Sequence, residues 1–185
     1  SEMCIRDSDK TMNNEVLKAI REHRSLRRFK GEQVGDDALK AVLEAGTWAP
    51  TAFGKQDPWI VAVQNEALRA RLTAMNARVM GTESDPYYGA PTVVLVFASA
   101  DSPNKDRDGS LVLGSMMVAA HSVGLASCWI NREDAMFATE EGKALMRELQ
   151  LPEGLAGVGA LALGYPDAEP KAAKPRKEDY YRIVK

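Results

Sequence analysis

The stretch from Asp108 to Val123 limits the possible folds of this chain more than any other. Leu111, Val112, Leu113, Met116, Met117, Val118, Ala119 and Ala120 leave a helix there with almost no polar face. A helix on a protein surface keeps one side polar, so this pattern calls for cover on most sides. A chain of 185 residues has room for one ordinary core. The helix is therefore expected to lie against a sheet, with a second subunit covering part of what remains.

The neighbouring segments supply the sheet and its other helices. Gly124 ends the apolar helix, and Leu125–Ile130 resumes as a strand. Thr92–Ala98 is rich in β-branched residues and reads as a central strand, and Ala156–Gly164 as the last core strand. Trp59–Val63, bounded by Pro58 and Asn65, reads as a short buried strand. Helices are expected over 13–23, from an N-cap at Asp36 until Pro50 forbids continuation, and from Leu68 to Val79 with Gly81 as C-cap. Another opens at Thr139-Glu140-Glu141, where acids suit the helix dipole. Helices and strands alternate loosely, which predicts an α+β fold, a three-layer α/β sandwich. Residues 13–185 read as one domain whose proline- and charge-rich end, 165–185, forms an extended arm. Residues 1–12 read as a leader or disordered extension.

Composition narrows the chemistry. A net charge of −2 gives no general attraction to nucleic acid or an anionic membrane, so an anion site must be built locally. No apolar run reaches the roughly 18 residues that cross a bilayer. Cys4 and Cys128 are too few for a disulfide framework, which suits a reducing cytoplasm. GxGxxG, P-loop and GxSxG signatures are all missing. His23 and His121 are the only histidines, too few for a histidine-rich metal site. An enzyme of this composition borrows its reactivity from an organic cofactor.

One cluster could hold such a cofactor. His23, Arg24, Ser25, Arg27 and Arg28 lie within six positions. Arginine forks match phosphate bidentately and a serine hydroxyl adds a directed donor. Taken alone, the cluster fits a solvated basic turn as well as an anion site.

Five segments in order resemble the FMN-dependent nitroreductase family. They are Ile20-x-x-His23-Arg24-Ser25-x-Arg27-x-Phe29; Ala49-Pro50-Thr51 followed by Gln56 and Trp59; Tyr88-Gly89-Ala90-Pro91; Ala119-Ala120-x-x-x-Gly124-Leu125-x-x-Cys128-Trp129-Ile130; and Leu163-Gly164-Tyr165-Pro166 followed by Lys174-Pro175-Arg176. The resemblance implies a mostly antiparallel sheet flanked by helices, in an intertwined homodimer with FMN at the interface. It places His23, Arg24, Ser25 and Arg27 on the cofactor, with Arg27 towards the flavin ring. Lys174 and Arg176 close on the phosphate. Pro50, Thr51 and Ala52 match a loop donated by the partner. Asn76 approaches the ring's polar edge, Asn131 and Arg132 just past the Trp129–Ile130 strand end lie near N5, and Gln56, Trp129 and Ile130 complete the implied cofactor-binding set. The implied activity is ping-pong hydride transfer from NAD(P)H to a nitroaromatic, quinone or similar small acceptor. The other reading is a non-catalytic flavin-binding or redox-sensing dimer.

The chain departs from the pattern in three ways. His23 stands where arginine is usual, and an imidazole helps hold a phosphate only while protonated. The loop from Pro50 to Trp59 is one residue longer than the common form. The chain is also short for the family, which implies a reduced helical lid. Tyr87 and Tyr88 are candidates for the substrate pocket or for packing alone. Trp48, Trp59, Trp129 and Cys128 read as core, and His121 as a hydrogen-bonded interior or interface histidine.

Overall fold

The computed structural model describes residues 12–185. The expected leader, Met12 apart, and Cys4 fall outside those residues. Four strands, β1 (Trp59–Val63), β2 (Thr92–Ser99), β3 (Ala126–Ile130) and β4 (Leu155–Gly164), form one sheet in the order β1-β2-β4-β3. Every neighbouring pair is antiparallel. Among the described residues six α-helices accompany it: α1 (Glu15–Glu22), α2 (Asp36–Thr47), α3 (Glu66–Met80), α4 (Lys105–Ser122), α5 (Glu133–Ala138) and α6 (Glu140–Glu148).

Strand alternation divides the interior into two cores. Val93, Leu95 and Phe97 of β2 meet Leu72 and Met75 of α3, Met136 and Phe137 of α5, and Leu145 of α6. Val94 and Val96 point the other way, to Val42 of α2 and to Val112, Leu113 and Met116 of α4. The molecule is thus α+β in three layers, and β2 is buried because both of its faces are covered. Val158 is an extra residue in β4, so that Val96 faces Gly159 while Phe97 faces Gly157. This bulge lets the strand turn Val158 to α4 and bring its glycine backbone against Glu133. A side chain at Gly157 would overlap the Glu133 carbonyl.

Local chemistry accounts for the helix ends. Asn14 Oδ1 accepts the Leu17 N–H (2.9 Å), Asn65 Oδ1 the Leu68 N–H (3.0 Å) and Thr139 Oγ1 the Gly142 N–H (3.0 Å). Gly81 closes α3 at φ 72°, in the left-handed region. Several expectations need correction. Asp36 is the first residue of α2, not its cap; Gly35 precedes it with no side-chain bond. α4 starts at Lys105, before Asp108. β1 is an edge strand, leaving Trp59 46% exposed, and Trp48 is 81% exposed. The six-residue α5 was not anticipated, because so short a helix carries little periodic signal. α4 buries one face, yet Leu111 stays exposed and Met117, Val118 and Ala119 are only half-buried.

Candidate functional site

The basic turn is fixed between an edge strand and the start of the tail. Ser25 forms a parallel bridge with Ser127 of β3, and the Leu26 N–H donates to the Ser127 carbonyl (3.0 Å). On the other side, the Lys30 N–H donates to Tyr165 O (2.9 Å), and the Asp167 N–H to Arg28 O (3.1 Å). These bonds set residues 20–28 against residues 168–176 around a cleft of about 1100 Å³. Arg21, Arg24, Arg27, Arg28, Lys171, Lys174 and Arg176 line it, together with His23 and Ser25, against one carboxylate, Glu169. Among the described residues none of those cations forms an ion pair within 4.0 Å. So much uncompensated positive charge in one concavity suits an anion.

Two side chains in the turn are oriented by local bonds. His23 Nδ1 lies 2.8 Å from the Ile20 carbonyl, which can only accept. Nδ1 therefore carries the hydrogen, and Nε2 can donate only from the imidazolium. Arg24 Nη1 donates to the carbonyls of Arg21 (2.6 Å) and His23 (2.7 Å), leaving the rest of its fork available. The guanidinium of Arg27 lies 5.7 Å from the centre of the exposed Tyr88 ring.

A second group gathers at the far end of β3. Fully buried Asn76 donates through Nδ2 to the Asn131 carbonyl (3.1 Å), and its Oδ1 accepts from Arg132 Nε (2.6 Å). Arg132 has φ 87°, a conformation that side chains rarely adopt, immediately before α5. Because the Ser127 carbonyl faces the outer edge, the two-residue period of the ladder turns the main chain of Trp129 to that edge as well. Beyond the Ser25 bridge, that edge of β3 has no strand partner among the described residues. The Ile130 side chain is buried, and the same alternation turns its N–H and C=O towards β4. Trp129 is half-buried, with its indole against Gly159.

Behind this edge lies a pair that sequence reasoning missed. Glu133 is fully buried; its Oε1 accepts from the Tyr87 hydroxyl (3.0 Å), and its Oε2 has no partner. Burial pushes the Glu133 carboxyl up to about 8, against the smaller opposing effects of hydrogen bonds and Arg132. Burial also raises the Tyr87 phenol, which therefore keeps its proton and donates it. Tyr87 is wholly interior and lines no open pocket. Cys128 packs in the core, where burial raises its thiol. His121 is half-exposed and sits 3.8 Å from Glu22 instead of being enclosed by hydrogen bonds.

The loop at Pro50 is held elsewhere. The Ala52 N–H donates to Asp108 Oδ1 (3.0 Å) near the start of α4, and the Gln56 N–H donates to Thr51 Oγ1 (3.0 Å). The basic turn meets the other end of α4, through Glu22 and His121. Thirteen residues of helix separate Asp108 from His121, about 20 Å at 1.5 Å per residue. Within one chain, Pro50, Thr51, Ala52 and Gln56 therefore do not join His23–Arg27. No group of three or more potential metal ligands occurs among the described residues. No described helix is long and apolar enough to cross a membrane.

Known proteins share this fold. Residues 20–165 match the Nitroreductase family. A nitroreductase from Bacteroides fragilis, solved with bound FMN, superposes with a TM-score of 0.84 at 33% identity, over 94% of this chain and 100% of that one. A second FMN-bound nitroreductase, from Desulfitobacterium hafniense, gives 0.84 at 26% identity over 94% and 100% of the two chains. In sequence, the FMN reductase [NAD(P)H] of Bacillus subtilis is 24% identical over 186 residues, 88% of this chain and 70% of that protein. The match across most of the chain, together with the shared fold, makes this protein a member of the nitroreductase family.

Proposed function

We propose that the chain binds FMN and acts as an NAD(P)H-dependent oxidoreductase, as a homodimer with the cofactor at the interface. The observation that carries this reading is the cleft of unpaired cations beside the outer edge of β3. An organic phosphate satisfies the cations, and a planar ring fits along the strand edge. Family membership and the FMN-bound structures of its relatives support the choice of cofactor.

When bound, FMN supplies a two-electron carrier that takes hydride from a nicotinamide at N5 and gives it to an acceptor, the two using one pocket in turn. This chain's part is binding and electrostatics. Arg24, Ser25, Lys174 and Arg176 hold the phosphate, with His23 adding a donor at Nε2 when protonated. Arg27 offers fixed positive charge where reduction of the ring creates negative charge. The main chain of Trp129, Asn131 and Arg132 lines the ring's reactive edge, and Asn76 fixes the last two. Pro50, Thr51, Ala52 and Gln56 reach the ring of the partner's cofactor across the interface. The half-exposed apolar side of α4 supplies part of the surface that the dimer buries. Nitroaromatics, quinones and similar small acceptors suit a site whose chemistry resides in the cofactor. The cysteine content suits the cytoplasm.

The visible spectrum of the purified protein and of its heat-denatured supernatant tests the cofactor. Release of FMN is expected. A colourless protein that cannot be reconstituted with FMN would overturn the reading. Bleaching of the bound flavin by NADH or NADPH tests the enzyme; if neither bleaches it, the protein binds flavin without using it.

A further inference from the structure

The loop before β2 contains a strained aromatic residue that the proposed site does not yet explain. Tyr88 has φ 56° and Gly89 follows at φ 67°, so two successive residues occupy the left-handed region. Glycine does this freely; tyrosine does not. Something must therefore hold the turn, and Asp85 does so. Its Oδ1 accepts from the Tyr87 N–H (2.8 Å) and Thr73 Oγ1 (3.1 Å). Its Oδ2 accepts from the Gly89 N–H (2.8 Å) and Arg69 Nη2 (3.2 Å). The Asp85 carbonyl accepts from Tyr88 N–H itself (3.0 Å). Arg69 also donates through Nε to the Ala90 carbonyl (2.8 Å), tying α3 to the far side of the turn.

This framework leaves Tyr88 exposed, with its ring against the guanidinium of Arg27. Arg27 has no carboxylate partner among the described residues. A long, otherwise free side chain is thus restrained by an aromatic face that is itself restrained by a part-buried network.

We infer that Tyr88 is a positioning residue: its ring seats the Arg27 guanidinium at the flavin site, and the Asp85 turn holds the ring in place for that purpose. This rests on the FMN reading above. Arg27 acts on the cofactor by charge, so its placement affects the reduced, more negative ring more than the oxidised one. Losing the seat therefore weakens binding of reduced FMN and lowers the midpoint potential.

The test compares wild type, Tyr88→Phe, Tyr88→Leu and Asp85→Asn, each reconstituted with FMN and titrated for cofactor affinity and midpoint potential. Tyr88→Phe keeps the ring and is expected to match wild type. Tyr88→Leu is expected to favour the reduced form about three-fold less, in line with a partly exposed cation–π contact. That is a fall of about 15 mV, at about 30 mV per decade for a two-electron couple. Asp85→Asn loosens the turn without touching ring or guanidinium, and should lower the potential in the same direction. Thermal melting of the same variants separates the roles, because a merely structural Tyr88 would alter stability and leave the potential alone. Wild-type potential in both Tyr88→Leu and Asp85→Asn would overturn the inference. If wild type itself takes up no FMN, the cofactor reading falls first and takes the inference with it.

Discussion

Replacing Glu133 by glutamine removes a buried ionisable group while keeping its shape and its acceptor for Tyr87. The carboxyl sits in a closed interior with one oxygen unpartnered, and burial raises it from 4.5 to about 8. In the unfolded chain it ionises in the usual carboxylate range. Between those two values the folded protein binds one proton more than the unfolded protein, so stability falls as pH rises. The ionisation penalty of Glu133 is therefore absent below about pH 4.5 and fully present above about pH 8. The slope is about 1.4 kcal/mol per pH unit, which accumulates to about 3 kcal/mol at pH 7 and about 5 kcal/mol above pH 8. Glutamine has no such slope. Urea unfolding at fixed protein concentration, from pH 5 to 9, should show Glu133→Gln gaining on wild type across this range with an unchanged m value. Equal pH slopes for the two proteins would mean that Glu133 is ionised in the fold, and would refute the reasoning.

Three further outcomes test other parts of the structure. With Nδ1 tied to the Ile20 carbonyl, a neutral His23 has no hydrogen on Nε2 to offer a phosphate, whereas an arginine there always has donors. His23→Arg should therefore slow flavin release on dialysis; an unchanged rate would place His23 off the phosphate. Lys174→Ala should weaken FMN binding roughly ten-fold at low salt, and by less at high salt, where screening already costs wild type affinity. Equal affinity in a fluorescence titration would free the tail from that role. Phe97 is fully buried and meets Phe137 edge-on at 4.8 Å, so Phe97→Ala should cost about 3–5 kcal/mol in chemical unfolding. A loss below 1 kcal/mol would contradict the packing of that core.

The sequence revealed those parts of the fold that depend on nearby residues. Gly81 and Thr139 end and begin helices through contacts within a few positions, and both were readable as caps. Thr92–Ala98 reads as central because its composition records cover on both faces. Trp59–Val63 has a similarly apolar composition yet lies at the edge, since its missing neighbour is a matter of strand order. Nothing in its neighbours marks Glu133; its burial depends on Tyr87, forty-six positions earlier, and on a bulge in β4. The cleft joins residues about 150 positions apart, a proximity no local pattern encodes. Only the order of the five family segments connects its two halves in the sequence.

α4 acts as a spacer. It keeps the Ala52 loop and the basic turn of one chain about 20 Å apart, too far for both to serve a single cofactor. On the dimer reading, a solitary chain is then a non-enzyme instead of a slow one, and activity per chain should collapse on dilution through the dissociation range. Mixed dimers would reveal the same arithmetic. A chain damaged in the turn, paired with one damaged in the loop, would combine both lesions in one site and leave the other intact. Two inactive variants would thus restore each other when co-expressed.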